Sequence, residues 1–323
     1  MEQTRVNPIV TDSERSRSAP EAGWRIRSTS LVVRVTGEDR VTFFHGICSN
    51  DIKGMAPGGI VYALILTDHA HIISDVHVWA QADALWLEID RELWPATQAH
   101  LEKFLVADDV EFQERPEDAV MELLGDPAWL ARAGWLSEAA PAPNQFTLRD
   151  GLMIGNSQRY GHDACCVIGP RDRLEALGTR LQPSGVALTE AECERLRIEA
   201  GWARVGQDTN ERTLAMEAGL ERAISFNKGC YLGQETVERA TSRGGVKRRL
   251  MGLRIEAAAC APGHSIEVAG RAVGQLTSVA LSPRHGLIGL GIVQQAVWAP
   301  GTEVTIVSPD GGLAARISEL PFQ

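Results

Sequence analysis

The last part of the chain carries the pattern that most restricts what this sequence can fold into. From Arg249 onward, glycine and proline turns separate short runs of alternating apolar and polar residues, such as LMGLRIE, HSIEVAG, RAVGQLTSVAL, GLIGLGIV and TEVTIV. Evenly spaced short strands of this kind are typical of a small closed or nearly closed all-β domain. We therefore place a domain boundary near Val246 and predict a β-barrel domain over residues 247–323.

Residues 24–246 follow a different pattern, in which strands and helices are mixed. Runs rich in β-branched residues and joined by short polar turns predict an antiparallel meander, and apolar residues at helical spacing predict helices. This mixture is typical of an α+β fold. Asp39 is a candidate helix cap, and Gly201 is a candidate helix stop. The predicted strands are 29–35, 60–66, 72–79, 84–89, 119–124 and 165–168. The predicted helices are 94–105, 171–181, 190–201 and the segment VTFFHGICSNDI at residues 41–52, in which Phe43, Phe44 and Ile47 have helical spacing.

The charge balance argues against a general nucleic-acid binder. The formal net charge is -10, whereas affinity for a phosphate backbone comes largely from clustered lysines and arginines. One local cluster is an exception. It could offer a cationic patch to a carboxylate or phosphate group, or it could be a solvated helix face and strand start. Its members are Arg239, Arg243, Lys247, Arg248 and Arg249.

The chain ends and the cysteines predict a cytoplasmic protein without a membrane segment. Residues 1–23 mix Arg, Glu, Asp, Ser and Pro without an apolar stretch, so we predict a flexible tail rather than a signal or transit peptide. The longest apolar runs fall far short of the roughly 20 residues that cross a bilayer. Six irregularly spaced cysteines do not form a disulfide framework, and we expect reduced thiols.

Several common catalytic signatures are absent from the sequence. It contains no G-x-x-x-x-G-K-[ST], G-x-S-x-G, H-E-x-x-H or C-x-x-C segment, so nucleotide hydrolysis, α/β-hydrolase chemistry and a structural zinc site lack support. His69, His71 and His77 lie close together, but their spacing matches no metal-binding motif. We predict no metal site.

The segment FNKGCYLGQETVERA, which begins at Phe226, contains the strongest candidate for chemistry. Gly229 and Gly233 predict a loop that needs backbone freedom, and GQETVERATS predicts a helix with Glu235 in its first turn. A cysteine near a helix N-terminus and two residues from Lys228 has its thiolate favoured by both positive charges. Cys230 is therefore the best candidate for a reactive thiol. The alternative is a small apolar residue packed in a core.

The octapeptide K-G-C-Y-L-G-Q-E at residues 228–235 resembles the signature of the YgfZ family. That family shares a superfamily with the aminomethyltransferase (T-protein, GcvT) of the glycine cleavage system. The resemblance covers nearly all of the chain after the tail, through GICSNDI, HIISDVHVW, RLRIEAGWARVGQD, MEAGLERAISF, VGQLTSVALSP and the terminal ELPF. It implies a cloverleaf of three subdomains around a central opening that holds a folate, with a C-terminal β-barrel domain.

The resemblance also implies roles for individual residues. Glu217 in MEAGL corresponds to the glutamate that binds the pterin of tetrahydrofolate, whose N-H groups form a paired donor edge suited to a carboxylate. Asp75 matches the aspartate near the reactive nitrogens of the folate. The alternative for Asp75 is a strand-end carboxylate bound to backbone N-H groups. Further folate contacts are predicted at Tyr62, Asn50, Asp51, Tyr231 and Gln234, and Cys230 with Lys228 supplies the thiol chemistry.

Two departures from the relatives affect the interpretation. The turn before IISD usually contains glycines, whereas residues 68–71 here read Asp-His-Ala-His. The true aminomethyltransferases also lack the Cys-Tyr pair at residues 230–231, which argues against a simple T-protein.

Three functions are compatible with these observations. The first is a tetrahydrofolate-dependent factor that supports the assembly or repair of iron-sulfur enzymes, with the cluster carried by a client protein because the chain has no cluster-binding cysteine set. The second is a one-carbon transfer enzyme of aminomethyltransferase or demethylase type, in which Asp75 positions the reacting nitrogen. The third is a tRNA-modification or scaffolding partner that acts through the cationic cluster.

Overall fold

The computed structural model describes residues 22–125, 129, 141–157, 165–242, 245–309 and 311–323. These residues form two compact units. The first unit contains the described residues between 22 and 188 together with 221–239, and the second contains those in 189–220 and 240–323. The predicted tail lies outside the described residues except for its last two positions, where the first strand begins. The domain boundary near Val246 stays a prediction.

The described residues of the first unit contain two β-sheets, three complete α-helices, one short 3-10 helix and the start of a further helix. One sheet has five antiparallel strands in the order β3-β4-β5-β2-β6, and the other has six strands in the order β11-β1-β7-β10-β9-β8. The strands are β1 (Ala22–Ile26), β2 (Ser30–Thr36), β3 (Ile60–Leu66), β4 (Ile72–Ala80), β5 (Leu85–Asp90), β6 (Glu111–Glu114), β7 (Asp118–Gly125), β8 (Gln145–Arg149), β9 (Leu152–Asn156), β10 (Cys165–Pro170) and β11 (Val186–Ala187), and the helices are α1 (Arg40–Ile47), α2 (Trp94–Glu102) and α3 (Arg171–Leu181).

Alternate residues of a strand face opposite sides of its sheet. The side chains of one strand therefore belong to two different cores. In β5, Leu85, Leu87 and Ile89 pack in the core under α1 and α2. Trp86, on the other face of β5, packs against the core that lies between the two sheets. Helix α3 covers the far face of the six-stranded sheet with Leu174 and Leu177. The first unit is therefore a helix-sheet-sheet-helix stack.

The second unit is built around a closed barrel of six strands. Residues 252–255 of the first barrel strand pair with 315–318 of the last, and this pairing closes the sheet. The predicted closed all-β domain is therefore confirmed. Its elements are α4 (Glu190–Glu199), α5 (Gln234–Ser242, whose first residues belong to the first unit), β12 (Arg248–Ile255), β13 (Ser265–Val268), β14 (Arg271–Ser282), β15 (Gly286–Gln294), β16 (Glu303–Ser308) and β17 (Gly311–Ser318).

A buried ionic cluster joins α4 to the barrel. Arg197 donates to an Asp208 carboxylate oxygen at 2.7 Å and to the Ser278 hydroxyl of β14 at 2.6 Å. The other Asp208 oxygen accepts from the hydroxyls of Thr277 at 2.5 Å and Ser278 at 2.6 Å. Both charged residues are 2% exposed. Each buried charge is therefore paired and hydrogen-bonded, as burial requires.

Most predicted elements occur with small shifts at their ends, and three local predictions were wrong. Asp39 stands before α1, but its side chain makes no cap bond there and instead accepts from the Asp109 N-H at 2.9 Å. Helix α2 ends at Glu102 rather than near 105, and Phe104 is 43% exposed, so no burial favours a further turn. Gly229 has no left-handed backbone and no close neighbour, so the loop does not require glycine there.

The helix stop at Gly201 is confirmed. Gly201 follows α4 with φ +66, which L-residues rarely adopt. A Cβ at this position would lie 2.6 Å from Leu320 Cβ. The start of α4 carries a reciprocal cap between Thr189 and Glu192 that the sequence also contains as T-x-x-E.

Replacing Asp208 by alanine should lower the free energy of unfolding by about 3–5 kcal/mol, because the buried charge of Arg197 then keeps only Glu194, among the described residues, as its acidic partner. Asp208→Asn should cost less, since the amide oxygen still accepts a hydrogen bond. Urea unfolding measures both values. The matched control is Glu319→Ala, an exposed carboxylate of the same unit, which should change stability by less than about 0.5 kcal/mol. Equal effects of Asp208→Ala and the control would contradict the role of the cluster.

Candidate functional site

Strand pairing between β3 and β4 brings together the first pair of predicted site residues. The register sets Tyr62 opposite His77 and Leu64 opposite Asp75, so Tyr62, His77 and Asp75 share one face of the sheet. The Tyr62 hydroxyl donates to an Asp75 carboxylate oxygen at 2.8 Å. The rings of Tyr62 and His77 lie 4.6 Å apart. Asp75 lies inside β4 and not at a strand end, unlike the alternative interpretation.

The surroundings of Asp75 change its acidity. Burial raises the pKa of Asp75 by disfavouring the ionised carboxylate, and this outweighs the hydrogen bond from Tyr62 and the charge of Arg27, both of which lower the pKa. Asp75 is therefore a weaker acid than an ordinary aspartate, with a phenol beside it. A carboxyl group of this kind is suited to exchanging a proton with a bound nitrogen.

Arg222 is a neighbour of this pair that the sequence did not single out. It lies in a short 3-10 helix, Glu221–Ala223, and its guanidinium lies 5.6 Å from the centre of the Tyr62 ring. It also makes a hydrogen bond to Tyr62. The Tyr62 hydroxyl therefore has both a cation, Arg222, and the Asp75 carboxylate as hydrogen-bond partners.

Asn50 and Asp51 follow α1, and their side chains support the local turn. The Asn50 amide donates to the backbone carbonyl of Tyr62 at 2.9 Å and accepts from the Asp51 N-H at 2.8 Å. Asp51 accepts from the Gly54 N-H at 3.0 Å and lies 3.2 Å from the His45 ring nitrogen. The structure thus places both residues next to the strand that carries Tyr62. Their contact with a folate stays a prediction.

The loop that we call the motif segment, residues 225–232, contains both buried and exposed side chains. Lys228 and Tyr231 are buried, whereas Phe226, Asn227 and Cys230 are exposed. Cys230 is a free and exposed cysteine, which rules out the interpretation as a packed core residue. Burial raises the pKa of Tyr231 to about 12, so its phenol is neutral under physiological conditions.

The end of the octapeptide, from Gly233 onward, lies close to the turn before β4. Gly233 has φ +86, and a Cβ there would lie 2.6 Å from the Thr67 carbonyl oxygen. Glycine is therefore needed at this position. Gln234 begins α5, and its amide donates to Glu238 one turn later at 2.7 Å. As predicted, Glu235 stands in the first turn of this helix.

In the second unit, Glu217 has a partner that its surrounding sequence does not indicate. Arg248, the first residue of β12, donates to both carboxylate oxygens at 2.9 and 3.0 Å, and the Leu214 N-H donates to one of them at 3.1 Å. Glu217 is 6% exposed. The only sequence signal for this pair is the run of three cations at residues 247–249, which by itself suggests a surface patch.

The cationic cluster is partly used inside the protein. Besides Arg248, Arg239 pairs with Glu235, and the Arg249 guanidinium lies 4.8 Å from the Trp298 ring centre. Arg243 lies outside the described residues. No observation on the described part of the chain adds weight to binding of RNA.

Two further features concern the class of site. In the part of the chain that the structure describes, no group of three or more His, Cys, Asp or Glu side chains could hold a metal ion. None of the helices in these residues combines the length and apolar character needed to cross a membrane. The cytoplasmic location stays a prediction.

Comparison with known proteins identifies the fold. The crystal structure of the glycine cleavage system aminomethyltransferase T from Bartonella henselae matches with a TM-score of 0.85 at 24% identity, covering 96% of this chain and 89% of that protein. An aminomethyltransferase of Bordetella pertussis is 25% identical over 325 residues, which cover 94% of this chain and 85% of the relative. A chloroplastic "putative transferase" of Arabidopsis thaliana is 26% identical over 310 residues, 90% of this chain and 68% of the relative.

The fold is that of the glycine cleavage aminomethyltransferase, as the sequence predicted. Within the second unit, residues 248–323 match the family of the glycine cleavage T-protein C-terminal barrel domain. The match begins at Arg248, so the partner of Glu217 is the first residue of the matched segment. The α+β fold class with a C-terminal barrel is thereby confirmed.

Proposed function

We propose that this protein binds tetrahydrofolate and transfers a one-carbon unit in the manner of an aminomethyltransferase. The observation that carries the proposal is the Tyr62–Asp75 pair, a carboxyl group of raised pKa on a fold shared with a glycine cleavage aminomethyltransferase. Relatives named aminomethyltransferase or transferase support this function over the iron-sulfur role, which the motif alone would place first.

The residues present fit a reduced folate. The two Glu217 oxygens are already arranged for a two-donor partner, since Arg248 binds them side by side. The pterin edge offers the same paired N-H geometry. The Arg248 side chain is 46% exposed, so it can share the carboxylate with a ligand or move aside. Tetrahydrofolate, when bound, supplies the nitrogen atoms that accept the one-carbon unit.

Asp75 and Tyr62 have defined tasks in such a transfer. The donor we propose is an aminomethyl group on a carrier, X-CH2-NH2, whose methylene passes to tetrahydrofolate while ammonia and the carrier X-H are released. No oxidant is needed, because the methylene carbon keeps its oxidation level. Asp75 exchanges a proton at the reacting nitrogen, and Tyr62 stabilises the ionised form of Asp75 through its hydrogen bond. Arg222 holds the phenol in place.

A second candidate function rests on a different observation. The exposed thiol of Cys230 lies in the K-G-C-Y-L-G-Q-E segment, which resembles the YgfZ family and whose Cys-Tyr pair true aminomethyltransferases lack. We therefore keep as an alternative a folate-binding factor of the YgfZ type that supports iron-sulfur client or assembly proteins. In that function, the protein surface around Cys230 contacts an iron-sulfur client or assembly protein.

The transfer is tested directly by mixing the purified protein with tetrahydrofolate and an aminomethylated carrier protein and following methylenetetrahydrofolate. Asp75→Asn should slow product formation by about 100-fold or more, the usual contribution of a positioned acid or base. The matched control is Asp68→Asn, an exposed aspartate in the turn before β4, which should retain the wild-type rate. Absence of product with the wild type would reject the transfer, and an unchanged rate for Asp75→Asn would reject the assigned residue.

Glu217→Ala should weaken tetrahydrofolate binding by about 1.5–3 kcal/mol, the size of a charge-assisted hydrogen bond. Isothermal titration measures the affinity. Glu211→Ala removes an exposed carboxylate of the same unit and should leave the affinity within twofold. Unchanged affinity for Glu217→Ala would remove Glu217 from the folate site.

Cys230→Ser tests the alternative function in cells. If the thiol supports iron-sulfur enzymes, this variant should fold and bind tetrahydrofolate but fail to restore their activity in a deletion strain. Cys260→Ser, which changes a partly exposed cysteine of the barrel, should restore it. Full restoration by Cys230→Ser would exclude the thiol from that role.

A further inference from the structure

Lys228 of the motif is a buried cation whose hydrogen-bonding capacity is filled by the backbone. Its ammonium group donates to the carbonyl oxygens of His45, Cys48 at 2.7 Å and Asn50 at 2.9 Å. An ammonium group has three N-H donors, and three acceptors are present. The lysine residue is 8% exposed. The group therefore bridges two segments that are about 180 residues apart in sequence.

The three acceptors lie at a helix end, which attracts a cation, although burial lowers the pKa of Lys228. His45 is in the last turn of α1, and Cys48 and Asn50 follow the end of that helix. Carbonyl groups at a helix C-terminus lack partners within the helix and carry the negative end of its dipole. The Tyr231 ring centre lies 5.0 Å from the same ammonium nitrogen and adds a cation-π contact.

Neutral hydrogen bonds join the same two segments on either side of Lys228. The Ser225 N-H donates to the Ser49 carbonyl at 2.9 Å, the Ser49 hydroxyl donates to the Ala223 carbonyl at 2.6 Å, and the Leu232 N-H donates to the Gly46 carbonyl at 3.3 Å. We call this set of hydrogen bonds between the two segments the seam. Lys228 is the charged contact in its middle. Its removal would take this donor from the His45 and Cys48 carbonyl groups and, among the described residues, would leave the Asn50 carbonyl with only the Cys48 thiol as a donor. This costs more than the loss of an exposed contact.

We propose that Lys228 is a positioning residue: it holds the 45–51 segment, with Asn50 and Asp51, against the motif segment, and does not act on a reacting atom. This inference rests on the proposed function where it concerns folate. The seam itself does not depend on any ligand. Because Asn50 in turn binds the backbone of Tyr62, the position set by Lys228 extends to the strand that carries the Tyr62–Asp75 pair.

Chemical rescue of Lys228→Ala tests the proposal. The alanine variant lacks the atoms of one n-propylammonium ion, which carries the same three N-H donors. Lys228→Ala should bind tetrahydrofolate about tenfold or more weakly, and n-propylammonium should recover a large part of the affinity. Tetramethylammonium, which has no N-H donor, should recover none at equal ionic strength. Lys53→Ala, a neighbouring exposed lysine, serves as the charge-matched control and should bind normally.

Hydrogen exchange provides a readout that does not depend on folate. Peptides covering residues 45–52 and 223–232 should exchange faster in Lys228→Ala, and n-propylammonium should slow them again. If Lys228→Ala does not fold, Lys228→Arg replaces it. A planar guanidinium cannot direct three donors to one converging set of carbonyls, so the same peptides should exchange faster than in the wild type.

The outcomes separate this inference from the proposed function. If the wild type binds no tetrahydrofolate but exchange follows the expected pattern, the folate function fails and the positioning role stands. If exchange in both segments is unchanged, or if tetramethylammonium rescues as well as n-propylammonium, the positioning role is overturned. A shift in the pH profile of Cys230 alkylation in Lys228→Ala, with unchanged exchange, would assign Lys228 to the thiol instead and overturn it as well.

Discussion

The first unit depends on the contact between the backbone after α1 and the motif segment. Ser49 connects both sides through its hydroxyl group, which donates to the Ala223 carbonyl and accepts from the Leu64 N-H at 2.8 Å. Lys228 adds a charge that satisfies carbonyl groups at the end of α1. Hydrogen bonds at this junction join the motif segment, the turn that carries Asn50 and the start of the Tyr62 strand. An exposed cysteine can therefore be presented on a well-anchored loop.

Other buried charges of the first unit are also paired with a group of opposite charge. Arg25 meets Glu122 at 2.7 Å, with both side chains almost fully buried, and Arg27 meets Glu88 at 2.8 Å. Glu88 lies opposite His77 in the pairing of β4 with β5, on the face that carries Asp75 and Tyr62. Burial raises the pKa of Asp75, and the charge of Arg27 opposes that rise. Pairing is needed because an unpaired buried charge would cost several kcal/mol.

The sequence predicted those helices and strands whose hydrophobic pattern lies within a single segment. Helix α3 has the predicted bounds because its regular helical spacing is visible in the segment itself. Strand β3 has them because its residues form one continuous apolar run. The strands that the sequence analysis missed include edge and interior strands: β1, β6, β8, β9, β11 and β17. Strand β11 has two exposed residues and pairs in parallel with β1, more than 150 residues earlier. Nothing within such a short segment indicates that partner.

The site residues likewise divide into those that the sequence indicates and those that only the folded structure shows. The octapeptide and the family resemblance that it carries point to Cys230, Lys228, Asp75 and Glu217 through residue identity and order alone. Arg222 and Arg248 carry no such signal, because an arginine in a polar segment is most often a solvated surface residue. Only the folded chain shows that Arg222 lies over Tyr62 and that Arg248 binds both oxygens of Glu217.

The amino-acid sequence by itself determined the closed barrel, the mixed α+β region before it and the glycine-containing loop with its cysteine. These follow from hydrophobic period, turn residues and backbone freedom, which act over a few residues. Tertiary structure alone decided that the ammonium of Lys228 binds the end of α1 and that Asp75 faces a phenol. It decided these because hydrogen bonds and burial act between atoms that are close in space, wherever those atoms lie along the chain.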